Sequence, residues 1–226
     1  MQDQTVVVTG ANRGLGLELC RQLAAGGARV IGTARRPHEA EELRALDVRV
    51  EELDVADAAS VRGFAERLGE AAVDVLVNNA GRGGAGSGIA ELDLEASLRF
   101  FDVNSLGPLR VTQALLPHLR RGRAKKVVHV TSQMGSLANN AAGGYYAYRA
   151  SKAALNMLHL TLARELAGQG FTCVAIHPGW VRTAMGGENA PLPPEESVRG
   201  MLRVLAGLSR QDHGSFLDHT GAKLPW

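Results

Sequence analysis

The chain has 226 residues, 45% of them hydrophobic and 21% charged, a length and composition that fit one large soluble domain and exclude disordered and fibrous classes. Twenty-five Lys and Arg against 23 Asp and Glu leave a net charge of +2. Neither sign forms a long block, so nothing marks a face for nucleic acid or an anionic membrane. No apolar run reaches the roughly 18 residues of a membrane span. The opening MQDQTVVVTG has neither the basic segment nor the apolar stretch of a secretory leader, and the expected location is the cytoplasm.

In chain order, the β-branched run Thr5 to Thr9 reads as a strand, followed by a glycine-rich turn and an amphipathic stretch with Leu15, Leu19 and Leu23 four residues apart. The alternation repeats. Strands are expected at Arg29 to Thr33, Val48 to Leu53, Val73 to Val77, Lys126 to Thr131, Thr172 to Ile176 and Ser215 to Asp218. Helical patterns lie near 38–46, 57–71, 93–121, 146–168 and 194–209. Strands separated by helices of this length predict right-handed βαβ units and an α/β fold, a single doubly wound domain over residues 1–226 with a parallel sheet of about seven strands. Ligands in such sheets bind at the carboxyl ends of the strands, which makes the loops Gly81 to Gly88 and Pro191 to Pro194 candidate pocket walls. Cys20 and Cys173 sit apart in apolar segments and read as buried reduced thiols. The seven histidines show no zinc-ligand spacing, and no metal is expected.

Twenty-seven glycines, about 12% against a usual 7% or so, raise the question of where they fall. TGANRGLG, Thr9 to Gly16, places Gly10, Gly14 and Gly16 between the first strand and the first helix, where a backbone can approach a pyrophosphate at the positive helix end. Its Gly-x-x-x-Gly-x-Gly spacing differs from the common dinucleotide fingerprint, and alone it is also an ordinary tight turn. Tyr148 and Lys152 share a helix face at i and i+4. Alone they are equally a surface pair, but the chemistry has a reason. Moving a phenol from near 10 to near 7 takes roughly 4 kcal/mol, and one cation at about 4 Å supplies about that much at an effective dielectric of 20. A general acid works best with its pKa near the working pH. Ser132 ends a strand where its hydroxyl can meet a substrate oxygen. Asp54-Val55 and Asn78-Asn79-Ala80-Gly81 end two others.

Taken together and in this order, TGxxxGxG, the Asp after the third strand, Asn-Asn-Ala-Gly after the fourth, Asn104, Ser132, Tyr-x-x-x-Lys and Pro178-Gly179 resemble the short-chain dehydrogenase/reductase family over nearly the whole chain. YAYRASKAALN and the ending SFLDHTGAKLPW look like its carbonyl-reductase-like branch, which includes C-factor and Sniffer. The resemblance implies catalysis by Asn104, Ser132, Tyr148 and Lys152. Tyr148 would protonate a carbonyl oxygen that Ser132 holds, Lys152 would bind the nicotinamide ribose and lower the Tyr148 pKa, and Asn104 would position a relay water. It further implies a cofactor bed of Gly10, Asn12, Arg13, Gly14, Leu15, Gly16, Asp54, Val55, Asn78, Ala80, Gly81, Val181 and Thr183, besides Tyr148 and Lys152.

The stretch after the second strand, Gly32-Thr33-Ala34-Arg35-Arg36, lacks the acid that binds a ribose 2′-hydroxyl and offers guanidinium groups to a 2′-phosphate. Arg35 with Arg13 therefore favours NADP(H) over NAD(H). Met134, Tyr145, Tyr146, Trp180, Met185 and Leu192 supply apolar walls for an aldehyde, ketone or quinone, while Arg82 and Arg182 leave a carboxylate-bearing substrate open. The span from Thr183 to Ser197 is expected to form a small lid. The expected reaction is hydride transfer between nicotinamide and a carbonyl or alcohol. The alternatives are a non-enzymatic NADP(H) sensor and an NAD-dependent alcohol dehydrogenase. The helices near 104–121 and 146–168 are left free to pair, so a homodimer or homotetramer is expected.

Overall fold

A computed structural model describes residues 1–84 and 88–226. Residues 85–87, the middle of the glycine-rich loop singled out above, lie outside the described residues. The strands are β1 (Thr5–Val8), β2 (Arg29–Ala34), β3 (Arg49–Glu52), β4 (Val75–Asn78), β5 (Lys126–Val130), β6 (Thr172–His177) and β7 (Ser215–Asp218). They form one sheet in the order β3-β2-β1-β4-β5-β6-β7, and every pairing is parallel. Val- and Ile-rich strands such as TVVV and TCVAIH suit this position, because a sheet covered on both faces buries every side chain.

The helices are α1 (Gly14–Ala25), α2 (Glu41–Arg44), α3 (Ala58–Leu68), α4 (Leu94–Phe101), α5 (Gly107–Arg121), α6 (Tyr146–Leu166) and α7 (Pro194–Gly207). Helices α1 and α7 lie together on one face, where Leu19, Leu23, Val198, Met201 and Leu205 close over Val6, Val8, Val128 and Val174. On the other face α3 and α5, with the end of α6, bury Phe64, Val111, Leu115, Leu119 and Leu166 against Val7, Leu76, Val127 and Cys173. Each such aliphatic side chain contributes about 1.5–3 kcal/mol by leaving water. Cys20 and Cys173 are free and buried, and burial pushes both thiols up to about 12.

Two local features differ from the sequence reading. The expected helix near 38–46 is a short 3-10 turn, Pro37–Glu39, followed by the single turn of α2. The pattern over 93–121 is helical throughout but not one α-helix, because a π-helical turn, Asp102–Leu106, separates α4 from α5. The strand order reverses between β1 and β4. In a doubly wound sheet the crevice outside that switch point takes the ligand.

Candidate active site

The first wall of the crevice is the β1–α1 turn. Gly10 and Gly14 have φ of +64° and +56°, values that side-chain-bearing residues rarely adopt. A Cβ on Gly10 would stand 2.8 Å from the Cα of Ala80, and one on Gly16 would collide with the Gly10 carbonyl oxygen. The turn is locked to the end of β4. Thr9 Oγ1 accepts from the amides of Asn79 and Ala80, each at 3.0 Å, and Asn79 Nδ2 donates to the Thr9 and Gly10 carbonyls at 2.9 and 3.1 Å. No side chain caps α1, so its first amides are left for an anion. The chain's bare backbone, uncapped helix end and close strand approach fit a pyrophosphate.

Asn12, Arg13 and Arg35 are exposed. Among the described residues neither Arg13 nor Arg35 has an ion-pair partner, whereas Arg36 is bound to Glu39 at 2.7 Å. The Thr33 hydroxyl, near the end of β2, is buried without a partner. Leu15 packs into the core beneath α1. Asp54 holds the Ala56 amide through Oδ1 at 2.9 Å. Val55 is buried against Gly107, and its carbonyl accepts from Arg110. At the far end Val181 pairs with Leu192, and the Thr183 side chain faces Gly14, 3.6 Å from where a Cβ would be.

The second wall carries the polar set. Asn104, fully buried on the π turn, accepts from the Arg82 amide at 2.7 Å and donates to the Arg82 carbonyl at 2.9 Å and to Ser151 Oγ at 3.0 Å. Ser151 in turn donates to the Tyr148 carbonyl at 2.8 Å. Lys152 Nζ is buried, donates to the Val130 carbonyl at 2.9 Å and lies 6.0 Å from the centre of the Tyr148 ring. Gly81 lies against Asn104 Oδ1 and Lys152 Nζ. Ser132 Oγ accepts from the Met134 amide at 3.1 Å, and its hydroxyl favours the ionised form of Tyr148. Helix α6 is entered through three consecutive left-handed residues, Gly143, Gly144 and Tyr145, a tight approach that delivers Tyr148 to the strand ends. Two concavities flank that entry. One, about 140 Å³, is lined by Phe100, Tyr145 and Tyr148. The other, about 350 Å³, is lined by Met134, Leu137 and Arg149, and Tyr146 stands between them.

One expectation is corrected, and others gain a local setting. Burial raises the Tyr148 phenol above its ordinary value, with the Ser132 hydroxyl acting the other way. Lys152 is itself pulled down to about 8 by burial, which leaves its ammonium mostly charged at neutral pH. The Asn78 side chain is buried and donates to Thr112 of α5 at 3.0 Å, while its Oδ1 has no partner among the described residues. Arg182 is bound to the Ala190 and Pro191 carbonyls and is thereby engaged by its own loop. That loop is held by the Val181–Leu192 pairing and by Gly187 donating to the Thr183 carbonyl. Trp180 and Met185 stay exposed. Sequence reasoning missed Asn79 and Ser151. The doubled Asn was the available signal for Asn79, since neighbours on a strand face opposite ways.

A family model described as short chain dehydrogenase matches residues 4–192. The chain belongs to this family. Proteins similar to it include 1-hydroxy-2-glutathionyl-2-methyl-3-butene dehydrogenase of Rhodococcus sp. (strain AD45), 35% identical over 98% of this chain and 99% of that protein. The C-signal protein of Myxococcus xanthus is 51% identical over 74% of this chain and its own whole length. Among solved structures, the carbonyl reductase Sniffer of D. melanogaster superposes with a TM-score of 0.94 at 30% identity, covering both chains completely. The NADPH-bound carbonyl reductase from chicken fatty liver superposes at 0.92 with 34% identity, again over both whole chains. The short-chain dehydrogenase fold read from the sequence, with its seven-stranded parallel sheet, is the fold found. As a member of this family the protein is an oxidoreductase that takes a nicotinamide cofactor.

Proposed function

We propose that the protein is an NADP(H)-dependent carbonyl reductase acting on apolar aldehydes, ketones or quinones, with Asn104, Ser132, Tyr148 and Lys152 as its catalytic residues. The observation that carries the reading is geometric: Tyr148 stands one helical turn before Lys152, whose buried Nζ lies 6.0 Å from the centre of the phenol ring and is anchored on the Val130 carbonyl at the end of β5, just before Ser132. A phenol keeps its proton at neutral pH and can give it to a carbonyl oxygen, and a cation beside it eases that loss. When bound, the nicotinamide cofactor supplies a hydride to the carbonyl carbon.

The chain's own groups do the rest. Ser132 Oγ takes its hydrogen bond from the Met134 amide, which leaves its own proton free for the substrate oxygen. Tyr148 Oη gives its proton to that oxygen, so carbonyl plus hydride plus proton balance to an alcohol. Lys152, anchored on the Val130 carbonyl, places a cation behind the phenol and stabilises the phenolate left after the transfer. Asn104, braced by Arg82 and Ser151, holds the π turn against Gly81 and Lys152, where it positions the water that returns a proton. The exposed, unpaired Arg13 and Arg35 would hold the 2′-phosphate, and NADP-bound carbonyl reductases among the structural relatives support the same choice. A homodimer or homotetramer belongs to the proposal. Leu94 and Leu98 of α4 and Met157 of α6 are exposed apolar side chains, and α6 is one of the helices expected to pair.

Following NADPH consumption with a panel of apolar aldehydes, ketones and quinones tests the reading, with NADH and Tyr148→Phe as controls. Turnover is expected with NADPH. It should fall about 10²–10⁴-fold in Tyr148→Phe, with NADPH binding kept. Turnover unchanged in that variant rejects the assignment of Tyr148, and NADPH binding with no turnover on the panel favours the sensor.

A further inference from the structure

We infer that Asn156 is a positioning residue for this reaction, acting through Ser132. The inference rests on the reading above in that Ser132 and Tyr148 work as a pair. Asn156 lies on α6 four residues beyond Lys152 and eight beyond Tyr148, on the face those two share. It is buried, at 4% exposure, in a helix with no need of an amide there, and a buried amide is costly unless its polar atoms are matched. Both of them are. Asn156 Oδ1 accepts from Thr131 Oγ1 at 2.7 Å, and Asn156 Nδ2 donates to the Gly135 carbonyl at 3.2 Å. Thr131 immediately precedes Ser132, and Gly135 follows it by three residues. One side chain of the tyrosine helix thus grips the serine segment on both sides of the serine.

The segment has no slack to absorb a loss of that grip. The 3-10 turn Gln133–Gly135 lies flush on α6, so that a methyl on Gly135 would come within 2.7 Å of the Lys152 carbonyl carbon. The same turn presents the Met134 amide that orients Ser132 Oγ. Without Asn156 the turn keeps its internal bonds, Met134 to Ser132 Oγ, Gly135 to the Ser132 carbonyl and Ser136 to the Gln133 carbonyl, and Thr131 keeps its strand bond to the Ile176 carbonyl, but none of these ties the turn to α6. Ser132 then moves as a unit with its turn, away from Tyr148. A displacement of about 1 Å at reacting groups costs on the order of 100-fold in rate.

The test is a double-mutant cycle on the full chain, using Ser132→Ala, Asn156→Ala and the double variant, with Thr131→Val and Thr131→Ser alongside. Two readouts are taken. The first is kcat and KM for NADPH-driven reduction of 4-nitrobenzaldehyde. The second, which needs no turnover, is the 13Cζ resonance of Tyr148 at neutral pH, assigned with Tyr148→Phe and sensitive to the phenol's hydrogen bond. Asn156→Ala should lower kcat about 100-fold with KM for NADPH unchanged. The double variant should be no slower than Ser132→Ala within about twofold, as for groups acting as one unit. The Tyr148 resonance should move as it does in Ser132→Ala, and Thr131→Ser should behave as the parent. Losses that multiply in the double variant, or a Tyr148 resonance that Asn156→Ala leaves in place while Ser132→Ala moves it, overturn the inference. A resonance that even Ser132→Ala leaves unmoved overturns it too, by removing the pair. If the parent does not reduce the aldehyde, the carbonyl-reductase reading is what fails, and the resonance still decides the role of Asn156. If Asn156→Ala does not fold, Thr131→Val, which removes one hydroxyl, takes its place in the cycle.

Discussion

Arg35 and Arg36 are adjacent and chemically identical, yet the fold gives them different work. Arg36 is bound to Glu39 beside the short 3-10 turn, whereas Arg35 stands exposed past the end of β2 without an acid among the described residues. A guanidinium on a phosphate makes charge-assisted hydrogen bonds worth about 1.5–3 kcal/mol, a factor of roughly 10 to 100 in affinity. Arg35→Asp is therefore expected to weaken NADPH binding by that factor and to leave NADH nearly unaffected, as read by titrating the fluorescence of each cofactor. An equal loss for both cofactors would show that the site was disturbed generally. Residue types at this scale were largely legible: Ser132, Tyr148, Lys152 and Asn104 could be picked from motif order alone. Their environments were not. One charge at an assumed distance predicts a lowered phenol, while the folded chain adds a desolvation cost to both Tyr148 and Lys152, and burial is not a property of spacing. Asn78 and Asn79 look alike in the sequence, and only the register of β4 says which of them turns into α5 and which clamps the β1 turn.

At the scale of elements, the strand–turn–helix unit works because three things meet within a few ångströms: the β1 turn, the first turn of α1 and the end of β4. Gly16 is the point of closest approach, where a Cβ would strike the Gly10 carbonyl oxygen and press on the Asn79 amide group. Gly16→Ala should accordingly cost about 1–3 kcal/mol by overpacking and weaken cofactor binding beyond that. Denaturant unfolding measures the first effect and NADPH titration of the folded fraction the second. Full affinity with only a stability loss would mean that the turn reopens its anion site by shifting as a whole. Element order and type were legible, since β-branched runs and four-residue leucine spacing alternate through the chain. The π turn at Asp102–Leu106 was not. One extra residue in a helical turn leaves the apolar pattern on either side intact, and what holds the turn is a tertiary set of bonds from Asn104 to Arg82 and Ser151. Such turns are frequent at functional sites, and here it carries one of the four proposed catalytic residues.

Over the whole molecule, the same parallel sheet that builds the crevice also buries histidines the reaction does not use. His129 of β5 and His159 of α6 meet through their Nδ1 atoms at 3.1 Å, so one ring must donate and the other accept. The His159 ring lies 6.2 Å from that of Trp226, which stacks on Phe216 at 5.2 Å. Burial, then the charge of Lys152, pulls His129 down to about 3. Burial, then the neighbouring His129 and His213, pulls His159 well below its usual value. Burial, then His219, pulls His177 down to about 4. The sign follows directly. Each folded-state pKa lies below the unfolded value near 6.5, so as pH falls the unfolded chain takes up protons that the folded chain refuses. Stability is whole above about pH 6.5 and is lost downward through pH 4, at about 1.4 kcal/mol per pH unit for each such group. Free energies of unfolding from denaturant titrations between pH 7 and 4.5 should show this slope. His177→Gln, which removes one titrating ring outside the His129–His159 pair, should reduce it by about one group's share. A slope that stays the same in His177→Gln would assign the acid loss to other groups. A profile flat over the whole range would mean that these rings take protons in the folded state, which their burial among apolar strands opposes.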